Sequence, residues 1–273
     1  MDIHKINDRF ILDFYEEMKN QTFAALGILD AHSMIHTLGT DSKIIGRSFE
    51  MFTQPILEKL AQKYNLYLKV PEKQTLYPDF TLLDTEDSTS KIAIDVKTTY
   101  ITPNHPIKFT LGSYGSYMRN NTKNIAYPYT DYKKHYVIGF IYKRNDAAQE
   151  SKIYPYHMRN SIMPPYEDVC YFIQEKYKIA GDKPGSGNTE NIGSFPTHNI
   201  QDLIEGKGPF ADLGQDIFDL YWKYYPKYRA TDIPYKSLPE FLRWYSQQKN
   251  LTLLHPYDAN EVKEKLAAYN QHI

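Results

Sequence analysis

Ile92-Ala93-Ile94-Asp95-Val96-Lys97-Thr98-Thr99-Tyr100 is the stretch from which the rest of this chain is best read. Its apolar run predicts a buried strand, and successive side chains of a strand point to opposite faces. Ile92, Ile94 and Val96 then share one face, while Ala93, Asp95, Lys97 and Thr99 share the other. A carboxylate and an ammonium therefore sit side by side in a segment that otherwise belongs in a core. Upstream, Pro78-Asp79 opens a second apolar run, Phe80 to Leu83. A hairpin-like return between the two runs brings Asp79 and Asp95 to one edge, an oxygen pair of the kind that holds a hard divalent cation. Lys97 then faces whatever the cation binds. Each piece has a plainer reading on its own: Pro-Asp is a common turn dipeptide, and polar alternation is what a half-solvated antiparallel strand shows. Charges are rarely buried unless they are paired or bound to metal, however, so the convergence of both runs favours a metal site.

Around this pair the spacing predicts an α/β core with a mixed sheet. Asn7 caps a helix through Ile11, Phe14, Tyr15, Met18 and Phe23. A second helix starts after Asp41-Ser42, carries Ile45, Phe49, Phe52, Leu57, Leu60 and Tyr64, and is kinked or divided at Pro55. Short strands follow at 67–70, 80–83, 92–100, 136–142 and 170–174. The stretch 182–191, Asp-Lys-Pro-Gly-Ser-Gly-Asn-Thr-Glu-Asn, is a loop. It lacks the third glycine of GxGxxG and contains no GK[ST], which argues against a nucleotide cofactor. Residues 248–273 form a C-terminal extension with an amphipathic helical piece from Ala259 to Tyr269.

Composition sets broad limits. With 273 residues, 41% hydrophobic and 24% charged, the chain is an ordinary globular mixture able to bury a sizeable core. The single cysteine, Cys170, lies in the apolar run Val169 to Ile173 and is expected to be a small buried thiol. No stretch approaches 18 apolar residues and the N-terminus has no apolar signal core, so the expectation is a cytoplasmic protein without a membrane partner. A net charge of −1 and a pI near 6.8 are not the footprint of a wholesale polyanion binder. Lys108, the segment from Arg119 to Lys123, and Lys133-Lys134 are candidate local basic patches, or else solvated faces. His157 and His198 lack zinc-ligand spacing.

Pro78-Asp79 followed by Asp95-Val96-Lys97 resembles the PD-(D/E)xK signature of a nuclease superfamily that includes type II restriction endonucleases. Phe49-Glu50-Met51-Phe52, Tyr77 to Leu82, Ile92 to Tyr100, Arg119-Asn120-Asn121-Thr122-Lys123-Asn124 and Gly185-Ser186-Gly187-Asn188-Thr189 are similar, in order and spacing, to the EcoRV-like branch. The similarity runs from about Ile11 to about Gln247. It implies a restriction-endonuclease-like α/β core: a mixed central sheet flanked by helices, with DNA-binding loops and a helical dimerisation region. The endonuclease domain would span 1–247, with a catalytic core at about 43–145 and a recognition loop at about 182–191.

The same resemblance implies roles. Asp79, Asp95 and Glu50 would be catalytic metal-holding acids and Lys97 the catalytic lysine. Gln74, Thr98, Thr99, Ser116 and Lys123 would contact DNA, and Gly185, Ser186, Gly187, Asn188 and Thr189 would read bases. The loop chemistry agrees: glycines allow close backbone approach, an asparagine such as Asn188 matches adenine, and the Thr189 methyl can meet thymine. The plainer alternative is a flexible turn with Asn and Thr capping local backbone. The implied activity is hydrolysis of double-stranded DNA at a palindromic site, GATATC cut bluntly to leave 5′-phosphate ends. One or two Mg²⁺ per active site would assist, with Mn²⁺ able to substitute. A bacterial restriction-modification system would supply a methyltransferase for the same site. Cutting both strands of a palindrome calls for a two-fold homodimer; Phe14, Tyr15, Met18 and Phe23 of the first helix are a candidate contact, unless they are core. Two alternatives stay open: a repair enzyme or exonuclease of the same superfamily, and a non-catalytic DNA-binding protein on the same fold.

Overall fold

The computed structural model describes residues 7–185, 190–247, 264–265 and 267–269. Helix α1 (Asn7–Met18) leads into strands β1 (Gly27–Leu29) and β2 (Met34–Leu38), then helix α2 (Ser42–Lys63). Strands β3 (Tyr67–Lys69), β4 (Phe80–Leu83), β5 (Lys91–Tyr100), β6 (Thr110–Ser113), β7 (Tyr132–Arg144), β8 (Glu150–Pro155) and β9 (Tyr166–Glu175) follow. The remainder is a short helix α3 (Lys176–Ile179), strands β10 (Ala180–Pro184) and β11 (Asn191–Ser194), and helices α4 (Ile200–Glu205), α5 (Gln215–Tyr224) and α6 (Leu238–Ser246). The central sheet has the order β3-β4-β5-β7-β9. It is mixed: β4 and β5 are antiparallel, with Phe80 opposite Ile94, whereas β5 and β7 are parallel, with Asp95 opposite Val137.

Strands β5, β7 and β9 divide their side chains between two cores, as strand periodicity requires. On one face Ile92, Ile94 and Val96 pack with Phe10 and Phe14 of α1 and with Ile45, Phe49 and Leu57 of α2. Phe49 and Phe140 of β7 stack with ring centroids 4.4 Å apart. On the other face Ala93 and Val137 join Tyr77, Tyr117, Tyr129 and Tyr132, together with Trp222 of α5 and Phe241 of α6. The hairpin-like return and the face assignment of β5 both hold.

Several local expectations are corrected. Pro55 does not divide α2, which runs unbroken from an N-cap at Asp41, whose carboxylate accepts from the Lys43 and Ile44 amides. Pro55 and Met51 both lie on the exposed face, where water can take the carbonyl that a proline leaves without a partner. Phe14, Met18 and Phe23 are core: all three are buried inside the chain and unavailable to a partner. Cys170 is exposed. It belongs to the outer half of β9, an edge strand whose burial becomes continuous only from Phe172 onward.

Two smaller sheets escape the sequence reading, β1-β2-β8 and β10-β11-β6. The first carries exposed apolar side chains, among them Ile28, Leu29 and Ile153. Of the C-terminal extension, residues 264, 265 and 267–269 are helical and Tyr269 packs against the tyrosine-rich core; the rest of 248–273 lies outside the described residues. No described helix is long and apolar enough to cross a membrane.

Candidate active site

The antiparallel pairing of β4 with β5 delivers Asp79 to Asp95. Asp79 immediately precedes β4, and its Oδ2 accepts a hydrogen bond of 2.7 Å from the backbone amide of Val96, which fixes the carboxylate over β5. Asp95, in the middle of β5, is buried. Lys97 lies two residues on, hence on the same face, and its Nζ stands 2.9 Å from Asp95 Oδ1 and 3.6 Å from Asp79 Oδ2. The three side chains line one cavity of about 220 Å³, together with Gln74, Tyr77, Gly112, Ser116 and Tyr117. The site is therefore open at one side and walled by tyrosine at the other.

The electrostatics follow from that enclosure. Burial pushes the Asp79 carboxyl up to about 7, against the pull of the Lys97 ammonium, with the neighbouring Asp95 adding to the rise. Burial acts on Asp95 too, but the Lys97 and Lys176 ammoniums outweigh it and hold this carboxyl below the usual range. Burial likewise opposes the charge of Lys97, yet the Asp79 and Asp95 carboxylates prevail and raise it well above the ordinary lysine value. Lys97 is thus a fixed cation near neutral pH, suited to stabilising negative charge and poorly suited to accepting a proton.

Lys176 is the member of this centre that sequence reasoning missed. It arrives from α3, two strands away, and its Nζ lies 3.7 Å from Asp95 Oδ2 and 3.9 Å over the ring of Tyr77. Burial pushes its ammonium down to about 8, with Asp95 pulling the other way. The only sequence signal was a lysine at the end of an apolar strand, which ordinarily marks a solvent-exposed turn.

The remaining expected residues fall into three groups. Gln74 and Ser116 share the cavity with the acids, although Gln74 is exposed and Ser116 buried. Glu50 stands on α2 and is ion-paired with Arg47; it lines a neighbouring cavity of about 320 Å³ with Lys43, Gln74 and Asp79. Among the described residues no cluster of three acidic, histidine or cysteine side chains is already assembled. Asp79 and Asp95 nevertheless suit a hard cation, because both are carboxylate oxygen donors lining one cavity. Thr99 follows Lys97 on the acidic face, whereas Thr98 turns toward α2, its Oγ1 lying 3.4 Å from where a Gly46 side chain would start. Lys123 is exposed and outside the cavity.

Gly185 sits at the base of the β10–β11 connection, its amide donating to the Asn191 carbonyl at 2.7 Å. Ser186, Gly187, Asn188 and Thr189 lie outside the described residues. On the other side of that connection, Glu190 is anchored by Arg119, 3.0 Å away. Its carbonyl accepts from the Tyr114 amide at 2.9 Å, and a side chain on Gly115 would collide with its carboxylate. Of the basic patches, Arg119 is committed to Glu190 and to the carbonyls of Lys223 and Tyr225, and Lys134 to Glu175 at 2.7 Å. Both act as internal braces.

Comparison with known proteins gives the family. The profile of the family described as Restriction endonuclease EcoRV matches residues 19–246. The type II restriction enzyme EcoRV of Escherichia coli is 43% identical over 233 residues, which cover 84% of this chain and 93% of that protein. Among solved structures, the NlaIV restriction endonuclease aligns over 95% of both chains at 12% identity with a TM-score of 0.34, too low to bear on the fold. The family match spans the β4–β5 pair, the Lys97 centre and the Glu190 anchor alike: this chain belongs to the EcoRV family of type II restriction endonucleases.

Proposed function

We propose that this endonuclease cuts GATATC bluntly with Mg²⁺ as its cofactor, and that Asp79, Asp95 and Lys97 are its cleavage centre. The observation that carries the reading is the placement of both carboxylates within 4 Å of one lysine at the open end of an antiparallel strand pair. A phosphodiester is anionic and repels hydroxide, so its hydrolysis needs charge neutralisation, a nucleophile near neutral pH and a stabilised leaving oxygen. A bound divalent cation supplies neutralisation and an acidified water. Asp79 and Asp95 would hold it, with Glu50 of α2 as the auxiliary acid. Lys97 places its ammonium against the charge that develops on the phosphoryl oxygens. In-line attack leaves 5′-phosphate and 3′-hydroxyl ends.

The recognition loop from Gly185 to Thr189 reads the bases, supported by its similarity to the family and by the match of asparagine to adenine. Gln74, Thr98, Thr99, Ser116 and Lys123 contact the DNA around the scissile phosphate. The working form is a homodimer. Its contact lies on the β1-β2-β8 sheet, where Ile28, Leu29 and Ile153 are exposed beside an apolar cavity of about 540 Å³ lined by Ala25, Leu38, Ile44 and Met51. Residues 1–247 form the endonuclease domain and 248–273 an appended helical extension. The protein acts in a bacterial cytoplasm beside a methyltransferase that protects the same site. Digestion of a plasmid of known sequence with Mg²⁺, followed by mapping of the fragment ends, tests the reading. Blunt ends at GATATC are expected; ends at another sequence, or ragged ends, would overturn the assigned site.

A further inference from the structure

A lysine that is 2% exposed is unusual in any protein, and Lys176 has this burial without a hydrogen bond to its Nζ among the described residues. Its neighbours are Asp95 Oδ2 at 3.7 Å, the face of Tyr77 at 3.9 Å and the ring of Tyr117 at 5.8 Å. The two oxygens of Asp95 are thereby divided between two lysines. Oδ1 meets Lys97, which is partly exposed; Oδ2 meets Lys176, which is sealed beneath the site. Tyr77, which cups the ammonium, also leads directly into Pro78-Asp79. Asp95 is therefore braced directly against the buried cation, and Tyr77 joins that cation to the segment that carries Asp79.

Such an arrangement is costly for folding. A buried charge pair is often replaced by apolar side chains of similar volume at no loss of stability, so the fold alone gives little reason to keep an ammonium here. Aromatic faces stabilise a desolvated cation, but an apolar side chain would fill the same space between Tyr77 and Tyr117. What only the cation can do is act on Asp95. We infer that Lys176 is a positioning residue: it holds Asp95 Oδ2 toward the protein interior, leaves Oδ1 to the open side, and weakens the attraction of the free site for a divalent cation. Lys97 and Lys176 stand opposite Asp79 and Asp95 and offset the negative charge of the two carboxyls. Removing the sealed positive charge makes the surroundings of any cation held there more negative.

This inference rests on the reading of Asp79 and Asp95 as metal-holding acids, and its test separates the two. Mn²⁺ is titrated calorimetrically into the DNA-free protein at pH 7, for the wild type, Lys176→Met, Lys176→Arg and Asp95→Asn. Lys176→Met is expected to bind Mn²⁺ at least tenfold more tightly than the wild type, while its single-turnover cleavage falls at least tenfold with unchanged affinity for DNA. Lys176→Arg, which keeps the charge, should restore metal affinity toward the wild-type value. A folded Lys176→Met protein with unchanged or weaker Mn²⁺ affinity overturns the inference. Should that variant fail to fold, Lys176→Gln takes its place in the same titration: tighter binding supports the positioning role, and unchanged or weaker binding overturns it. Failure of the underlying reading looks different: Asp95→Asn would then bind Mn²⁺ as well as the wild type does.

Discussion

The two faces of β5 solve opposite problems with residues that alternate along one strand. Ile92, Ile94 and Val96 enter a core of phenylalanine and aliphatic side chains from α1 and α2. Asp95 and Lys97, one position out of phase, enter a cavity lined by Tyr77 and Tyr117. Tyr77 and Tyr117 stack at 4.4 Å, and the Tyr77 hydroxyl shares a 2.7 Å hydrogen bond with His135. Tyrosine combines large apolar area with a ring face that accepts cations and a hydroxyl that accepts partners. The tyrosine-rich side is thus suited to carrying charge, and the phenylalanine side to supplying stability. Substitutions on the two faces should therefore separate chemistry from folding.

Lys97→Ala should show a large chemical effect, slowing single-turnover cleavage by roughly 10²–10³-fold, the range for loss of one preorganised stabilising group. DNA affinity should change little, and gel-shift titration beside quenched-flow kinetics would reveal the opposite pattern if Lys97 served mainly to bind. On the apolar face Ile94→Ala should behave the other way. A buried isoleucine truncated to alanine costs about 2–5 kcal/mol, so the denaturation midpoint should drop markedly, while the cleavage rate of the folded fraction stays near wild type. A rate loss comparable to that of Lys97→Ala would erase the distinction between the faces.

A subtler difference should appear with pH. Because burial raises the Asp79 carboxyl to about 7, a proton would compete with any cation held by this oxygen pair below that pH. The apparent affinity of the DNA-free protein for Mn²⁺ should rise as pH increases through about 7 and level off above it. Asp79→Asn should remove most of that slope, and a titration series that stays flat in the wild type would show that Asp79 is not the competing group. The smallest effect belongs to Cys170. Exposed on the outer half of β9, its replacement by serine should shift stability by less than about 0.5 kcal/mol and leave cleavage intact; a larger shift in thermal unfolding would place the thiol in a contact between copies.

The acids and Lys97 were legible because strand periodicity is a local property. Alternation along 92–100 places Asp95 and Lys97 together whatever surrounds them, and the apolar run after Asp79 supplies the partner strand. Lys176 was illegible because its burial depends on Tyr77 and Tyr117, which reach it only through the sheet. Pro55 misled for a related reason: proline's cost in a helix depends on whether the freed carbonyl meets water, which exposure on the folded chain decides. Gly27-Ile28-Leu29 is too short and too exposed to announce a strand, so the β1-β2-β8 sheet, and with it the apolar surface it presents, could not be read in advance. The helix α1 aromatics failed as an interface because an apolar helical stripe has the same sequence pattern whether it packs inward or outward.

The central claim is that Asp79 and Asp95, gathered on Lys97, are where the phosphodiester is cut. Asp95→Asn tests it most directly, since the amide keeps the shape of the carboxylate while removing the charge that both lysines face. Single-turnover cleavage of a duplex containing the mapped site, with saturating Mg²⁺ and protein shown to be folded, should fall at least roughly 10³-fold below wild type, beyond the loss of a single stabilising hydrogen bond. A folded Asp95→Asn protein that cuts the same duplex at a rate near wild type would contradict the account.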